Sequence, residues 1–314
     1  MDLLNSPAAL RRWTVASLLA NMGLVVTGGL VRVTGSGLGC STWPQCEPGS
    51  YVPHPEAGGH AFIEFGNRLL TFALVAIAIG TFLAAVRART AAGRPRRRLR
   101  RLALVAALGI PVQAVIGGVS VLTLLNPWVV GLHMVVSIVL IVVCVLMVHE
   151  ARPVRPEPLA GTPRLLAVVV FWVGVLGMLL GVVVTGAGPN SGDGGAARSG
   201  LDLEATARLH SLTIWVVVLA TLALAWLVRH QPALLRAVLL VVAVEGFQAA
   251  VGYTQYYLGL PPALVAAHML GTALFTAAIA HLWWLTRAEP TPGDRAITAP
   301  VAAAKGQAGS SEES

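Results

Sequence analysis

Charge is what this chain most lacks. Of its 314 residues only 11% are Asp, Glu, Lys or Arg, less than half of the roughly 25% usual in a soluble domain. Apolar residues make up 56%, and mean hydropathy is +0.74. These values exclude an ordinary water-soluble enzyme, and the prior that counts one soluble domain per about 150 residues does not apply. Lysine is nearly missing: Lys305 is the sole example among 22 basic residues, the other 21 being Arg. Three cysteines are too few for a disulfide-built mini-domain. One close pair of them, with no second pair, is not a zinc pattern. The net charge is +8, but a nucleic-acid footprint is a patch on a polar surface. Here Arg lies between apolar runs, so no nucleic-acid partner is expected. The first apolar run outlasts a signal-peptide core and meets no cleavage site before the next polar loop, so it is expected to remain as an anchor.

What is present is length of apolar run. A helix needs about 20 apolar residues to cross roughly 30 Å of hydrocarbon, and eight segments qualify: 13–33, 62–86, 102–122, 129–149, 164–185, 207–228, 233–253 and 263–285. The strands of a membrane barrel alternate at every second residue; runs such as Ile138 to Val148 do not. The expected fold is an all-α integral membrane protein with eight transmembrane helices, and membrane lipid is its solvent.

Arginine sets the expected orientation. Arg11 and Arg12 precede the first span, and Arg87, Arg89, Arg94, Arg96, Arg97, Arg98, Arg100 and Arg101 fill the second connection. Arg152, Arg155 and Arg164, then Arg229 and Arg236, then Arg287 and Arg295 continue on the same side, whereas the opposite connections are nearly free of Arg, with only Arg198 and Arg208 beyond Arg32 at a span end. The positive-inside rule then places both termini in the cytoplasm, with the Arg run serving as a topology anchor against anionic lipid. The expected location is a bacterial plasma membrane.

The chain also repeats. Gln113-Ala-Val-Ile-Gly117 matches Gln248-Ala-Ala-Val-Gly252, and His133-Met134 matches His268-Met269, both 135 residues apart. Val25-Val26-Thr27-Gly28 echoes Val183-Val184-Thr185-Gly186. With four spans in each half, the halves run parallel about an axis along the membrane normal. Two pseudo-symmetric four-helix bundles are expected, residues 1–155 and 156–289, divided where Pro153, Pro156, Pro158 and Pro163 cluster. Residues 290–314, rich in Ala, Gly, Ser and Glu, read as a disordered tail.

Ionisable side chains inside spans are costly and usually face the bundle interior. His133 and His268 begin the fourth and eighth spans, one to two turns in, and His210 lies similarly deep in the sixth. Paired imidazoles from facing helices can supply both axial ligands of a haem; the plainer reading of each is a hydrogen-bonded core histidine. His149, His230 and His281 sit at the other ends of their spans and read as interfacial. Positions 60, 64, 67 and 68 of His60-Ala-Phe-Ile-Glu64-Phe-Gly-Asn67-Arg68 form one helical stripe. Glu64 there suits a base or proton relay beside a cofactor, or simply an ion pair with Arg68 at i+4. Cys40 and Cys46, in Gly39-Cys40-Ser-Thr-Trp43-Pro44-Gln-Cys46, suit a disulfide on an oxidising side, as a structural staple or a redox pair. Cys144 reads as inert packing. Glu245 and Gln248 line a cavity or join helices by hydrogen bonds, the latter being favoured.

Taken together, Thr34-Gly35-Ser36-Gly37-Leu38-Gly39-Cys40, Trp43-Pro44-x-Cys46, Ile63-Glu64-Phe65-Gly66-Asn67-Arg68 and the repeated His-bearing spans resemble the haem A synthase family. The likeness covers about residues 13 to 285. It implies conversion of haem O to haem A, a methyl group oxidised to a formyl by successive hydroxylations with water as oxygen source, in support of cytochrome oxidase assembly. It implies haem b between His210 and His268 for electron transfer, the substrate haem in the N-terminal bundle with His133 as a ligand, Glu64 as the catalytic carboxylate, and a Cys40–Cys46 loop pair. Haem O synthase and oxidase assembly factors become candidate partners, with the oligomeric state open. One departure stands out: where better-known members carry His in Glu-x-x-His-Arg, this chain has Asn67. Either His60, seven residues earlier and roughly 10 Å along the axis, replaces that ligand, or His133 holds the substrate iron alone. A second departure is the absence of a cysteine pair in the 186–205 loop. The alternative functions are a non-enzymatic diheme b-type electron-transfer cytochrome and a parallel-repeat transporter. A transporter would place its polar residues near the midplane rather than at one face.

Overall fold

The computed structural model describes residues 4, 6–54, 56, 58–90, 93–152 and 159–287. Pro153, Pro156 and Pro158 of the expected divide, and the tail from residue 290 onward, lie outside the described residues. Within them, eight helices follow one another: α1 (Pro7–Val33), α2 (Gly58–Arg87), α3 (Arg97–Leu122), α4 (Pro127–Glu150), α5 (Gly161–Ala187), α6 (Leu203–Leu227), α7 (Pro232–Tyr257) and α8 (Pro262–Arg287). All eight expected spans are present, and all eight helices are long and apolar enough to cross a membrane. This is a multi-pass membrane protein. Two isolated bridges, Glu47 with Ser50 and Arg89 with Pro95, are the only β-pairing among the described residues.

Local sequence explains where the helices begin. Pro7, Pro127, Pro232 and Pro262 stand at first helical positions, where the missing N–H is not needed and the fixed φ suits the helix. Ser6, Asn126 and Asp202 cap α1, α4 and α6, their side-chain oxygens accepting from the N–H groups of Ala9, Trp128 and Ala205. The helices run past the apolar segments by several residues, because a helix satisfies its own backbone in lipid and in the headgroup region alike.

Packing forms two cycles. Helices α1–α2, α2–α3, α3–α4 and α4–α1 touch, as do α5–α6, α6–α7, α7–α8 and α8–α5. The cycles meet through α1–α8, α4–α8 and α4–α5. Large apolar side chains such as Leu19, Phe72, Trp172 and Leu219 point outward, which costs nothing when the surroundings are hydrocarbon, so small residues and polar pairs hold the interior together. At Gly29 the α1 backbone comes so close to α8 that an added Cβ would lie 2.6 Å from Met269 Sδ. Ser17 and Thr81 share a buried hydrogen bond of 2.8 Å between α1 and α2.

Two ends result. At one, Arg98 pairs with Glu150 at 3.1 Å and Arg96 donates to the carbonyls of Ala151 and Arg152; this is the arginine end. The opposite, histidine end carries the first turns of α2, α4, α6 and α8 and the connecting loop residues 34–54.

Candidate functional site

In the second cycle, α6 and α8 aim His210 and His268 at each other. Their ring centres are 6.4 Å apart and the planes cross at 76°. His210 Nδ1 lies 2.8 Å from the carbonyl oxygen of Gly177 on α5. A carbonyl can only accept, so Nδ1 carries the hydrogen and Nε2 keeps its lone pair. That is the arrangement a metal-ligating histidine uses, with the second nitrogen tied to a backbone carbonyl. Two imidazoles on opposite sides of one metal, at metal–nitrogen bonds of about 2 Å, have ring centres about 6 Å apart, so the observed spacing fits a haem iron with two axial histidines. Glycines make the room: a Cβ at Gly181 would lie 3.1 Å from the His210 ring, and one at Gly252 would lie 3.2 Å from the His268 ring. His268 Nδ1 is buried without a hydrogen-bond partner.

The first cycle repeats half of this arrangement. His133 on α4 sits against Gly117 of α3, where an added Cβ would lie 3.2 Å from its ring, and its Nδ1 is likewise buried and unpartnered. Gln113 donates to the His133 carbonyl at 3.1 Å and to Ser137 Oγ at 2.6 Å, while Ser137 donates to the same carbonyl. In the second cycle Gln248 donates to Thr272 Oγ1 at 3.4 Å, and Thr272 donates to the His268 carbonyl at 3.0 Å. Each Gln thus clamps the helix that carries the histidine, and Glu245 with Gln248 joins helices by hydrogen bonds, as expected. The hydroxyls Ser137 and Thr272 escaped sequence reasoning, although they stand 135 residues apart like the histidines they support.

No second histidine meets His133 among the described residues. His60 is exposed, and its Nδ1 lies 2.9 Å from Ser36 Oγ in the loop after α1. Asn67 faces the interior through α1, its Oδ1 accepting from Thr27 Oγ1 at 2.7 Å. Thr27 belongs to the Val-Val-Thr-Gly echo, so the repeat carried a signal for it.

The loop between α1 and α2 folds back onto the helix ends. Cys40 and Cys46 form a disulfide, and both are fully buried. Glu64, 6% exposed, accepts from the Cys40 N–H at 2.8 Å through Oε2. It also accepts from Arg68 Nε at 3.1 Å and Nη2 at 2.6 Å through Oε1. Arg68 then donates to the carbonyls of Thr42 and Gln45. Carboxylate and guanidinium therefore hold the disulfide loop from both its ends. Trp43 covers Gly118 of α3, and the Gly39 backbone rests on the carbonyl of His60; no side chain fits at either glycine. Between the histidine ends of α4 and α5 lies an apolar cleft of about 260 Å³, lined by Trp128, Gly131, Leu132, Val182 and Val183; the His133 ring, against Gly117 of α3, is not part of its lining.

At the arginine end one expectation needs correction. His149 is no interfacial side chain: it is 4% exposed, stacks on Trp284, and its Nε2 lies 2.9 Å from His281 Nδ1. The contact between α4 and α8 buries it, and the sequence position of a helix end could not show that contact. Cys144 is fully buried in packing, with the Asn21 amide 3.5 Å from its sulfur.

Several known proteins are similar to this chain over part of its length. Heme A synthase of Listeria welshimeri is 30% identical over 149 residues, 45% of this chain and 46% of that protein. Heme A synthase of Methylobacterium sp. is 31% identical over 150 residues, 43% of this chain and 40% of the relative. That of Lysinibacillus sphaericus is 32% identical over 130 residues, 41% and 40%. The chain spans about half the length of the curated relatives it matches, or somewhat less. The model of the cytochrome oxidase assembly protein family, COX15-CtaA, matches residues 11–198. That match takes in most of α1, all of α2 to α5, His133, Glu64 and the disulfide loop, more than half of the chain, and so this protein belongs to the cytochrome oxidase assembly protein family.

Proposed function

We propose that this chain is a haem A synthase. It oxidises a methyl group of haem O to a formyl group by successive hydroxylations, taking oxygen from water, and so supports cytochrome oxidase assembly. Replacing methyl by formyl adds the oxygen of one water and releases electrons and protons, so the protein needs an exit for each. The observation that carries the reading is the His210–His268 pair: ring spacing, tautomer and glycine clearance all suit a haem. Bound there, haem b would supply one-electron transfer. His210 and His268 hold it, Gly177 orients the first ligand, and Gln248 with Thr272 fixes the helix of the second.

Substrate haem is assigned to the first cycle, residues 1–155, with His133 as its ligand; the second, 156–289, holds haem b. The matching Gln–hydroxyl clamps and glycine clearances support a duplicated, pseudo-symmetric pair of bundles. A hydrophobic haem would reach this site from the bilayer, with haem O synthase and oxidase assembly factors as the partners that deliver and receive it. His60, turned to Ser36, gains nothing from its contacts as a second ligand, so His133 alone is the better reading for a site that must release its product. Glu64 is the proton acceptor at this end, positioned by Arg68 and by the Cys40 N–H. Both termini are assigned to the cytoplasm of a bacterial plasma membrane, from the arginine distribution.

The test is expression in a strain deficient in haem A, followed by extraction and mass analysis of haems. Haem A should appear with the native chain and be absent with Glu64→Ala, while that variant still binds haem. Undiminished haem A from Glu64→Ala would remove Glu64 from the chemistry. Haem b alone, with no haem O or A in any preparation, would instead support the electron-transfer cytochrome.

A further inference from the structure

The interior of the second cycle holds a carboxylate for which neither packing nor the haem ligands account. Glu245 on α7 is 5% exposed. Its Oε1 lies 2.8 Å from Thr221 Oγ1 on α6, and its Oε2 is buried with no hydrogen-bond partner. Burying an ionised carboxylate with an acceptor left unmade is costly. Its place in the helix is informative. Glu245 precedes Gly252, the residue beneath the His268 ring, by seven positions, which puts both on one face about 10 Å apart. Thr221 follows His210 by eleven positions, again on the ligand's own face. The pair therefore lies in line with the two haem-binding histidines, toward the arginine end.

The repeat supplies an internal control. The residue 135 positions before Glu245 is Ile110, and the residue eleven after Asn67, as Thr221 is eleven after His210, is Ala78. Ile110 and Ala78 are buried together with Leu74 in an apolar cluster. The same slot is therefore satisfied by hydrocarbon in the first cycle, so the fold does not require an acid there. The acid is confined to the cycle assigned to the permanent cofactor.

The hydroxyl partner suits both protonation states. Thr221 Oγ1 is within reach of the Val217 carbonyl at 2.9 Å as well as of Glu245. With Glu245 ionised, Thr221 turns its one hydrogen to the carboxylate. With Glu245 protonated, the acid donates to Thr221 Oγ1 and Thr221 donates to the Val217 carbonyl, an acceptor that is always present. Gln248 Oε1, three residues further along the same helix face, is a second buried acceptor without a partner. The helices packed on α7 are α6 and α8. Their ionisable residues are Glu204, Arg208 and His210 on α6, and His268, His281 and Arg287 on α8; α7 itself adds Arg236, Tyr253, Tyr256 and Tyr257. Glu204 pairs with Arg208 and His281 with His149. None of the described side chains forms an ion pair with Glu245.

We propose that Glu245 is the proton acceptor coupled to the redox state of the haem held by His210 and His268. When a one-electron donor reduces the iron from ferric to ferrous, one positive charge is lost from a dry interior. Glu245 takes up one proton in the same step, and it releases that proton when the haem is reoxidised. The charge inside the bundle is then the same before and after, which a low-dielectric medium favours strongly. This rests on the haem assignment made above.

The test is spectroscopic redox titration of the purified full-length protein with its haem, using dithionite as reductant, at a series of pH values. The midpoint potential should fall as pH rises, approaching about 59 mV per pH unit, since one pH unit is a tenfold change in proton activity and the couple transfers one electron. Glu245→Gln should flatten that slope, with a potential above the native one at high pH. Glu245→Asp should keep the slope. Thr221→Val, which removes the donor to the ionised form, should move the sloping region to higher pH. A native potential independent of pH, or a Gln variant with an undiminished slope, overturns the proposal. Should Glu245→Gln fail to hold haem, the native protein still decides: its reduced-minus-oxidised infrared spectrum must show a protonated carboxyl stretch appearing on reduction, and its absence overturns the proposal. Loss of the haem spectrum in His210→Ala and His268→Ala checks the assignment separately. Haem retained by both variants would refute the site itself, whereas haem lost by both together with a pH-independent native potential refutes only Glu245.

Discussion

Glu64 does two things at once, and a substitution can separate them. Its carboxylate accepts the Cys40 N–H and also neutralises Arg68, whose remaining donors hold the loop carbonyls. Removing the side chain strands a largely buried guanidinium, a change that costs about 3–5 kcal/mol when a buried pair is broken. Glu64→Gln keeps an acceptor for Cys40 and loses only the charge. Intact protein carrying this change should keep the Cys40–Cys46 disulfide, readable by thiol labelling, while haem A formation falls by at least tenfold. Equal activity would mean that Glu64 is purely a clamp. The residues against the histidines are a separate lever. Gly252→Leu would push carbon into a ring already 3.2 Å from the position of a Cβ. Such overpacking costs about 1–3 kcal/mol, and the b-type spectrum should be lost while the protein remains in the membrane. The histidines and Glu64 were legible from sequence because ionisable residues are rare inside spans. The neighbours that orient them, Gly177 and the Cys40 N–H, were not, since a backbone group has no sequence signature.

At the scale of helices and loops, the disulfide loop is the element most exposed to change. It closes a very short ring, for which chain entropy predicts stabilisation of roughly 2 kcal/mol, and the Trp43–Gly118 contact ties it to α3. Cys40→Ser should therefore lower the thermal unfolding midpoint and render residues 41–54 sensitive to protease, without altering the haem spectrum of the second cycle. A change in that spectrum would show that the loop reaches further than its contacts. Helix positions and lengths were readable because apolar run length is dictated by bilayer thickness and the caps are local. The loop's fold was not, because it is decided by α2 and α3, which come later in the chain.

Across the whole molecule, the two cycles are joined at several levels. Gly29 against Met269 lies within the spans, Arg32 donates to the Thr185 carbonyl at 2.9 Å, Gly37 N–H donates to the Gly192 carbonyl at 2.8 Å, and His149 meets His281 at the arginine end. Gly29→Leu should separate the cycles and lower the unfolding midpoint without removing haem b, measured by absorbance during heating. The opposing charge character of the two ends gives a test of orientation. Single cysteines at Arg94 and at Ala197, both exposed, in a background where Cys144 is Ala, should react with an impermeant thiol reagent from the cytoplasmic and the external side respectively. The opposite pattern would reverse the topology.

By itself the sequence determined the solvent, the number of spans, the repeat and the rare ionisable residues, because each follows from chain-local physics: hydrocarbon thickness, the cost of charge in lipid and matching residues at one offset. Tertiary structure alone decided which of those residues meet. It joined His210 to His268, turned His60 to Ser36, buried His149, and set Glu64 under a disulfide and Glu245 against Thr221. Those pairings depend on how helices far apart in the chain pack, and lipid, being as apolar as the helix surfaces, leaves no outward pattern from which the packing could be read.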